Sequence, residues 1–221
     1  MLRALYERHD CQQLIPVAIN ELAPLRDVCY LTQYDSTHGR FPGEVTASTG
    51  ATSRSQDYLK LSNANRSDEI AIYAAVEPEQ INWRDRDIDL LLECSGYVKA
   101  LAHANSYLAS GVKRLLLSNP GEPPIPAIVY GVNQQYIDAS RDAVLSAASC
   151  TSNAIAPVLQ VIHQAFGIRS GVITTIHASM HDQPVIDAYH SPDLRKNRAA
   201  SQSIIPVDTA LAQGIGRVLP D

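Results

Sequence analysis

The chain has 221 residues, enough for a sizeable core in one or two domains. Apolar residues make up 45% and charged residues 19%, the composition of a soluble globular protein. The net charge of −5 argues against a protein held on nucleic acid by phosphate contacts, and no apolar run approaches the roughly 18 residues a membrane helix needs.

Residues 1–9 read as the tail of a helix, with Leu2, Leu5 and Tyr6 on one side. Leu14-Ile-Pro-Val-Ala-Ile-Asn20 reads as a buried strand, followed by Glu21. An acidic residue there can bind the ribose hydroxyls of a dinucleotide, and it can equally be a solvated carboxylate at a strand end. Residues 27–34 predict a short helix and 35–41 a polar turn. Weak alternation over 43–82 predicts a small antiparallel excursion. A strand over 88–94 ends in Ser95-Gly96, a helix covers 100–110, and a strand over 111–118 ends at Ser118. Residues 127–130 form a short strand. This alternation predicts a parallel α/β sheet with ligands at the carboxyl ends of its strands, where Ser95, Gly96 and Ser118 lie.

The stretch Ser146-Ala-Ala-Ser-Cys-Thr-Ser-Asn153 follows the end of a further strand. It precedes Ile155, Val158, Leu159, Ile162 and Phe166, spaced as one face of a helix. Ser149 is a good N-cap, which places Cys150 in the first turn. The helix dipole and unpaired N–H groups there favour thiolate, and the same N–H groups can hold an oxyanion. A small buried cysteine is the plainer alternative. Residues 172–177 predict a strand ending in His177, a residue able to take the thiol proton. Residues 184–200 form a polar loop whose Arg195, Lys196 and Arg198, with Thr209, could clamp a phosphate; a solvated charged loop reads the same way. A last helix covers 207–219. The four cysteines, Cys11, Cys29, Cys94 and Cys150, form no Cys-x-x-Cys pair, so reduced thiols, a cytoplasmic setting and no metal site are expected.

Ser146-Ala-Ala-Ser-Cys-Thr-Ser-Asn153, Thr174-Thr-Ile-His177 and Tyr34-Asp-Ser-Thr-His-Gly-Arg-Phe41 resemble the glyceraldehyde-3-phosphate dehydrogenase family. Within it, Met180-His-Asp-Gln183, Ile186-Asp-Ala-Tyr-His190 and the run from Arg198 to Thr209 look more like the branch that oxidises erythrose 4-phosphate. The resemblance implies a Rossmann-type NAD-binding domain over 1–149 and the first part of an α+β catalytic domain over 150–221. It implies NAD as cofactor, Cys150 as nucleophile and His177 as its activator. Ser149, Cys150, Thr151, Arg195, Lys196, Thr209 and Ala210 match substrate positions. Glu21, Ser95, Gly96 and Ser118 match cofactor positions. The product would be 4-phospho-erythronate, on the way to pyridoxal 5′-phosphate. Phosphorylating glyceraldehyde-3-phosphate oxidation and a non-catalytic subunit-binding module are the rival readings. A homotetramer is expected, with neither nucleic acid nor membrane as partner.

Against the family pattern, Ala147 replaces an asparagine, Ala154 a second cysteine, and Val76 stands near a cofactor-side arginine. The family's first strand and its Gly-x-Gly-x-x-Gly turn precede the segment matching 2–7, and its catalytic domain extends beyond the segment matching 221. The expectation is therefore a piece of the family's chain with little or no turnover by itself.

Overall fold

Strands and helices alternate over part of the chain, around an antiparallel run of strands in its first half. In a computed structural model, residues 1–50, 56–138 and 140–219 are described; residues 51–55, inside the expected antiparallel excursion, residue 139 and the last two, 220–221, lie outside them. The helices are α1 (Leu2–Glu7), α2 (Leu25–Gln33), α3 (Leu101–Ala109), α4 (Cys150–Phe166) and α5 (Leu211–Val218). The strands are β1 (Ala18–Asn20), β2 (Tyr34–Asp35), β3 (Gly39–Arg40), β4 (Glu44–Ser48), β5 (Asp57–Ser62), β6 (Ser67–Tyr73), β7 (Leu91–Glu93), β8 (Leu115–Leu117) and β9 (Val144–Ser146). Two compact units divide them: Met1–Leu91 with Ala102–Leu115, and Leu92–Leu101 with Leu116–Asp221.

The first unit is built on a sheet of order β1-β6-β5-β4. β4, β5 and β6 run antiparallel, which is the excursion expected over 43–82. β1 joins β6 in parallel, with Ala18 opposite Ala71. Alternation puts Leu59 and Leu61 of β5 fully inside, while Lys60 points out and pairs with Glu69 at 3.1 Å. One sheet face carries Leu59, Leu61, Ile70 and Ile72 against Tyr6 and Phe41, whose rings meet edge to face at 5.5 Å. A second cluster, Ile81, Trp83, Ile88 and Val112, packs with Ala18 and Tyr73. The expected buried strand over 14–20 is shorter and more open. Ladder bonds begin only at Val17, and Ile15 is 69% exposed. β1 is an edge strand of its sheet, so only one side of it is paired.

The second sheet has the order β7-β8-β9. Leu91 donates to the Arg114 carbonyl and Ser118 to that of Glu93, and Ala147 donates to that of Leu117, the evenly stepped pattern of parallel strands. α3 is the crossover between β7 and β8. The strand expected over 127–130 is reduced to one bridge, Ala127 to Ser146. α5 lies close on α4: a Cβ at Gly214 would come within 3.0 Å of the Ser152 hydroxyl. Val218 and Ala156 share a core with Ala127, Val129, Val132 and Ala148.

Three expectations fail in this unit. The face of α4 that packs is Ser152 and Ala156, and Val158, Ile162 and Phe166 are exposed. Residues 172–177 form no strand, and Val172 and Ile176 are 97% and 87% exposed. Apolar periodicity marks a side suited to burial, but a strand exists only where a neighbour takes its hydrogen bonds, and no ladder reaches this segment among the described residues. The last helix begins at Leu211, not at 207: Ala210 is its N-cap residue, and the Thr209 hydroxyl accepts from the Leu211 N–H.

The core carries a direct test. Leu61→Ala opens a cavity beneath β5 and is expected to destabilise the protein by about 2–5 kcal/mol in urea unfolding. Val172→Ala, at an exposed site, should change stability by less than about 0.5 kcal/mol. Equal effects would overturn the assignment of the core.

Candidate active site

The chain turns from β9 into α4 within a few small residues. Ser149 has extended backbone angles, and its hydroxyl accepts from the Ser152 N–H at 2.9 Å. That is the expected side-chain cap, satisfying one of the first-turn N–H groups. Cys150 is the first helical residue and is exposed. Its sulfur stands 3.4 Å from His177 Nε2.

The other imidazole nitrogen fixes the roles. Nδ1 lies 2.7 Å from the Ala178 carbonyl, which can only accept, so Nδ1 carries the proton in the neutral ring. Nε2 then faces the thiol with its lone pair. The Cys150 thiol is pulled below the ordinary range, first by the hydrogen bond with His177 and further by bonds from the Thr151 hydroxyl and N–H. His177 is pushed up, first by the Ala178 carbonyl and next by Cys150. Their two proton steps belong to the pair. Cys29 and Cys94 move the other way, each chiefly because burial disfavours the charged form.

The remaining residues expected at substrate positions are arranged less simply. Arg195 sits in a 3-10 turn, Leu194–Asn197, and grips Asp193 with Nε at 3.0 Å and Nη2 at 2.7 Å. That fork pulls the Asp193 carboxyl down to about 2. Lys196 pairs with Asp208, and Arg198 with Asp187 at 2.8 Å. The expected phosphate clamp is thus occupied by the chain's own carboxylates. Thr209 Oγ1 accepts from the Leu211 N–H at 3.2 Å, and Ala210 is the N-cap residue of α5. Met180, Asp182, His190 and Lys196 line one hollow of about 270 Å³.

On the cofactor side, Glu21 is exposed at the end of β1 and accepts from the Ala23 N–H through Oε1 at 3.2 Å, leaving Oε2 able to accept more. In the second unit, Ser95 and Gly96 form the turn after β7. The Ser95 N–H and hydroxyl both donate to buried Glu93, whose Oε2 has no partner. Gly96 takes φ +74 in open space, a conformation suited to glycine. Ser118 follows β8, its N–H on the Glu93 carbonyl at 2.9 Å. Each unit thus has, taken by itself, a feature at a strand's carboxyl end: an open carboxylate in the first and an open glycine turn in the second.

Sequence reading assigned no role to Ser146, Glu93, Asn153 or Asn197, all of which prove to organise loops here. Asn197 accepts from the His190 and Ser191 N–H groups and donates to the Ser191 carbonyl, closing the loop that carries Arg195. Asn before a helix or inside a polar loop is the only sequence signal for such a role.

The pair sets a pH profile. Thiolate is present above a midpoint that lies below that of a free thiol, about 8.5, so iodoacetamide should label Cys150 faster than the other three cysteines at neutral pH. His177→Ala removes the largest cause of that lowering; the midpoint should rise and neutral-pH labelling should slow severalfold. An unchanged profile would show that His177 does not act on the thiol.

Residues 1–101 match the glyceraldehyde 3-phosphate dehydrogenase NAD binding domain, and residues 149–221 match the C-terminal domain of the same enzymes. The first match gives the Rossmann-like part its cofactor, NAD. The second begins at Ser149, the cap of the helix that bears Cys150. With both of its domains represented in order, the chain belongs to the glyceraldehyde-3-phosphate dehydrogenase family of NAD-dependent oxidoreductases.

Proposed function

We propose that the site serves the oxidation of D-erythrose 4-phosphate to 4-phospho-D-erythronate, the reaction of a D-erythrose-4-phosphate dehydrogenase. The observation that carries the chemistry is the 3.4 Å contact between Cys150 Sγ and His177 Nε2. His177 takes the thiol proton at Nε2, and the thiolate attacks the aldehyde carbon. The imidazolium returns the proton to the carbonyl oxygen, giving a thiohemiacetal on Cys150. The Thr151 N–H, already directed at the sulfur, stabilises the anionic form. NAD would supply the hydride acceptor that turns the thiohemiacetal into a thioester on Cys150, with His177 taking the hydroxyl proton. Glu21 would hold the ribose hydroxyls and Ser95, Gly96 and Ser118 the remainder. Water then releases the acid from the Cys150 thioester, with His177 again as base.

The substrate's phosphate is read by Arg195, Lys196, Thr209 and Ala210. Met180 and Asp182 support the four-carbon substrate, because they stand where glyceraldehyde-3-phosphate enzymes usually carry small hydroxyl residues. Both line the hollow that also includes Lys196. A domain division at 149/150, a cytoplasmic homotetramer and a place in pyridoxal 5′-phosphate biosynthesis complete this reading. A second reading, phosphorylating oxidation of glyceraldehyde 3-phosphate, is favoured by the name of both matching domains.

Protection of Cys150 from iodoacetamide separates the two without requiring turnover. Erythrose 4-phosphate should protect at lower concentration than glyceraldehyde 3-phosphate, and NADH formation, where it occurs, should not need inorganic phosphate. Arg195→Ala should weaken protection by the phosphorylated aldehyde about tenfold, one lost charge-assisted contact, and leave unphosphorylated erythrose unaffected. Better protection by glyceraldehyde 3-phosphate, with strictly phosphate-dependent NADH formation, would transfer the assignment to the second reading.

A further inference from the structure

The turn that delivers Cys150 is held from both sides. Inside it, Ser146 is 0% exposed. Its hydroxyl accepts from the Gly121 and Ala148 N–H groups, each at 3.0 Å, and donates to the Asn119 carbonyl at 2.7 Å. One donor and two acceptors are the whole capacity of a hydroxyl. Outside it, exposed Asn153 donates through Nδ2 to the Ala147 carbonyl at 2.7 Å and the Ser149 carbonyl at 2.9 Å. Between these holds, Ala148 takes φ +58, the left-handed region that an L residue enters only when its surroundings require it. Ala148 is itself buried, so the turn cannot relax outward.

We propose that Ser146 and Asn153 are positioning residues that keep the 147–149 turn left-handed and thereby set Cys150 against His177. The inference rests on Cys150 being the nucleophile. His177 lies on an exposed segment without a strand ladder, so the register of the pair is set from the cysteine side. If Ala148 leaves the left-handed region, Ser149 and the first helical N–H groups are re-aimed, and Cys150 goes with them.

The test is the pH profile of Cys150 alkylation in the full chain, for the wild type, Asn153→Ala and Ser146→Ala, with circular dichroism as the check on folding. Asn153 is exposed, so its loss leaves the core intact. Asn153→Ala should slow neutral-pH alkylation about threefold or more and raise the midpoint, because less thiolate is stabilised. Ser146→Ala should do the same more strongly. Adding Ala148→Gly to Asn153→Ala should recover much of the loss, since glycine takes the left-handed turn without strain. Wild-type profiles in Asn153→Ala and in folded Ser146→Ala would overturn the proposal. If Ser146→Ala does not fold, Asn153→Ala decides alone. A wild-type Cys150 no faster than Cys11, Cys29 and Cys94 would instead remove the nucleophile reading, and this inference with it.

Discussion

The site depends on how the first N–H groups of α4 are shared out. A helix start leaves such donors without intrahelical partners. Here the Ser149 hydroxyl takes the Ser152 N–H, and the Thr151 N–H turns to the Cys150 sulfur. The cap and the Cys150 sulfur therefore use different donors of the same turn. Were the cap absent, the Ser152 N–H would be one more first-turn donor without an intrahelical partner. The cap keeps the helix start fixed while leaving the sulfur partly free, as a nucleophile requires.

The two partners of the pair are anchored unequally. Cys150 stands at the end of a chain of holds that reaches back through Ser146 to Asn119 and Gly121. His177 is oriented by its immediate neighbour, the Ala178 carbonyl. That contact fixes which nitrogen carries the proton, whatever the segment around it does. Tautomer and position are thus separate achievements: the first is local to two residues, and the second is supplied by the cysteine side. The chemistry of proton transfer needs both, because a correctly protonated ring at the wrong distance cannot take the thiol proton.

What was legible in the sequence follows the range of each interaction. The Ser149 cap, the position of Cys150 and the Asp35 turn, where Oδ1 accepts from the Thr37 and His38 N–H groups, lie within a few residues of their partners. Neighbouring residue types encode them. The order of strands and helices was legible for the same reason. The strand over 172–177 and the apolar face of α4 were not, because periodicity states which side suits burial and not whether another element arrives there. Ser146 was hidden by distance, since two of its hydroxyl's three partners, Gly121 and Asn119, lie 25 and 27 residues away. The pairing within the expected phosphate clamp was hidden for a further reason: the sequence shows Arg195, Lys196 and Arg198, but not that Asp193, Asp208 and Asp187 meet them.

Those carboxylates bear on how an anionic substrate is received. A phosphate entering this loop meets no bare cation, and has to exchange with a carboxylate already present. Asp193 stays ionised down to about 2, so around neutral pH the exchange is between two anions, not the filling of a vacancy. The exchange remains favourable in principle because exposed ion pairs are weak, screened by water and salt. A phosphate also brings more charge and more acceptor oxygens to the same planar fork. Before it arrives, the carboxylates hold the loop in shape: Asp193 also caps the turn carrying Arg195, and Asp187 accepts from the Ala199 N–H. On the proposed reading, the paired arrangement gives discrimination at the expense of raw affinity. A singly charged or unphosphorylated aldehyde offers Arg195 nothing better than Asp193 already does, whereas a phosphate dianion does.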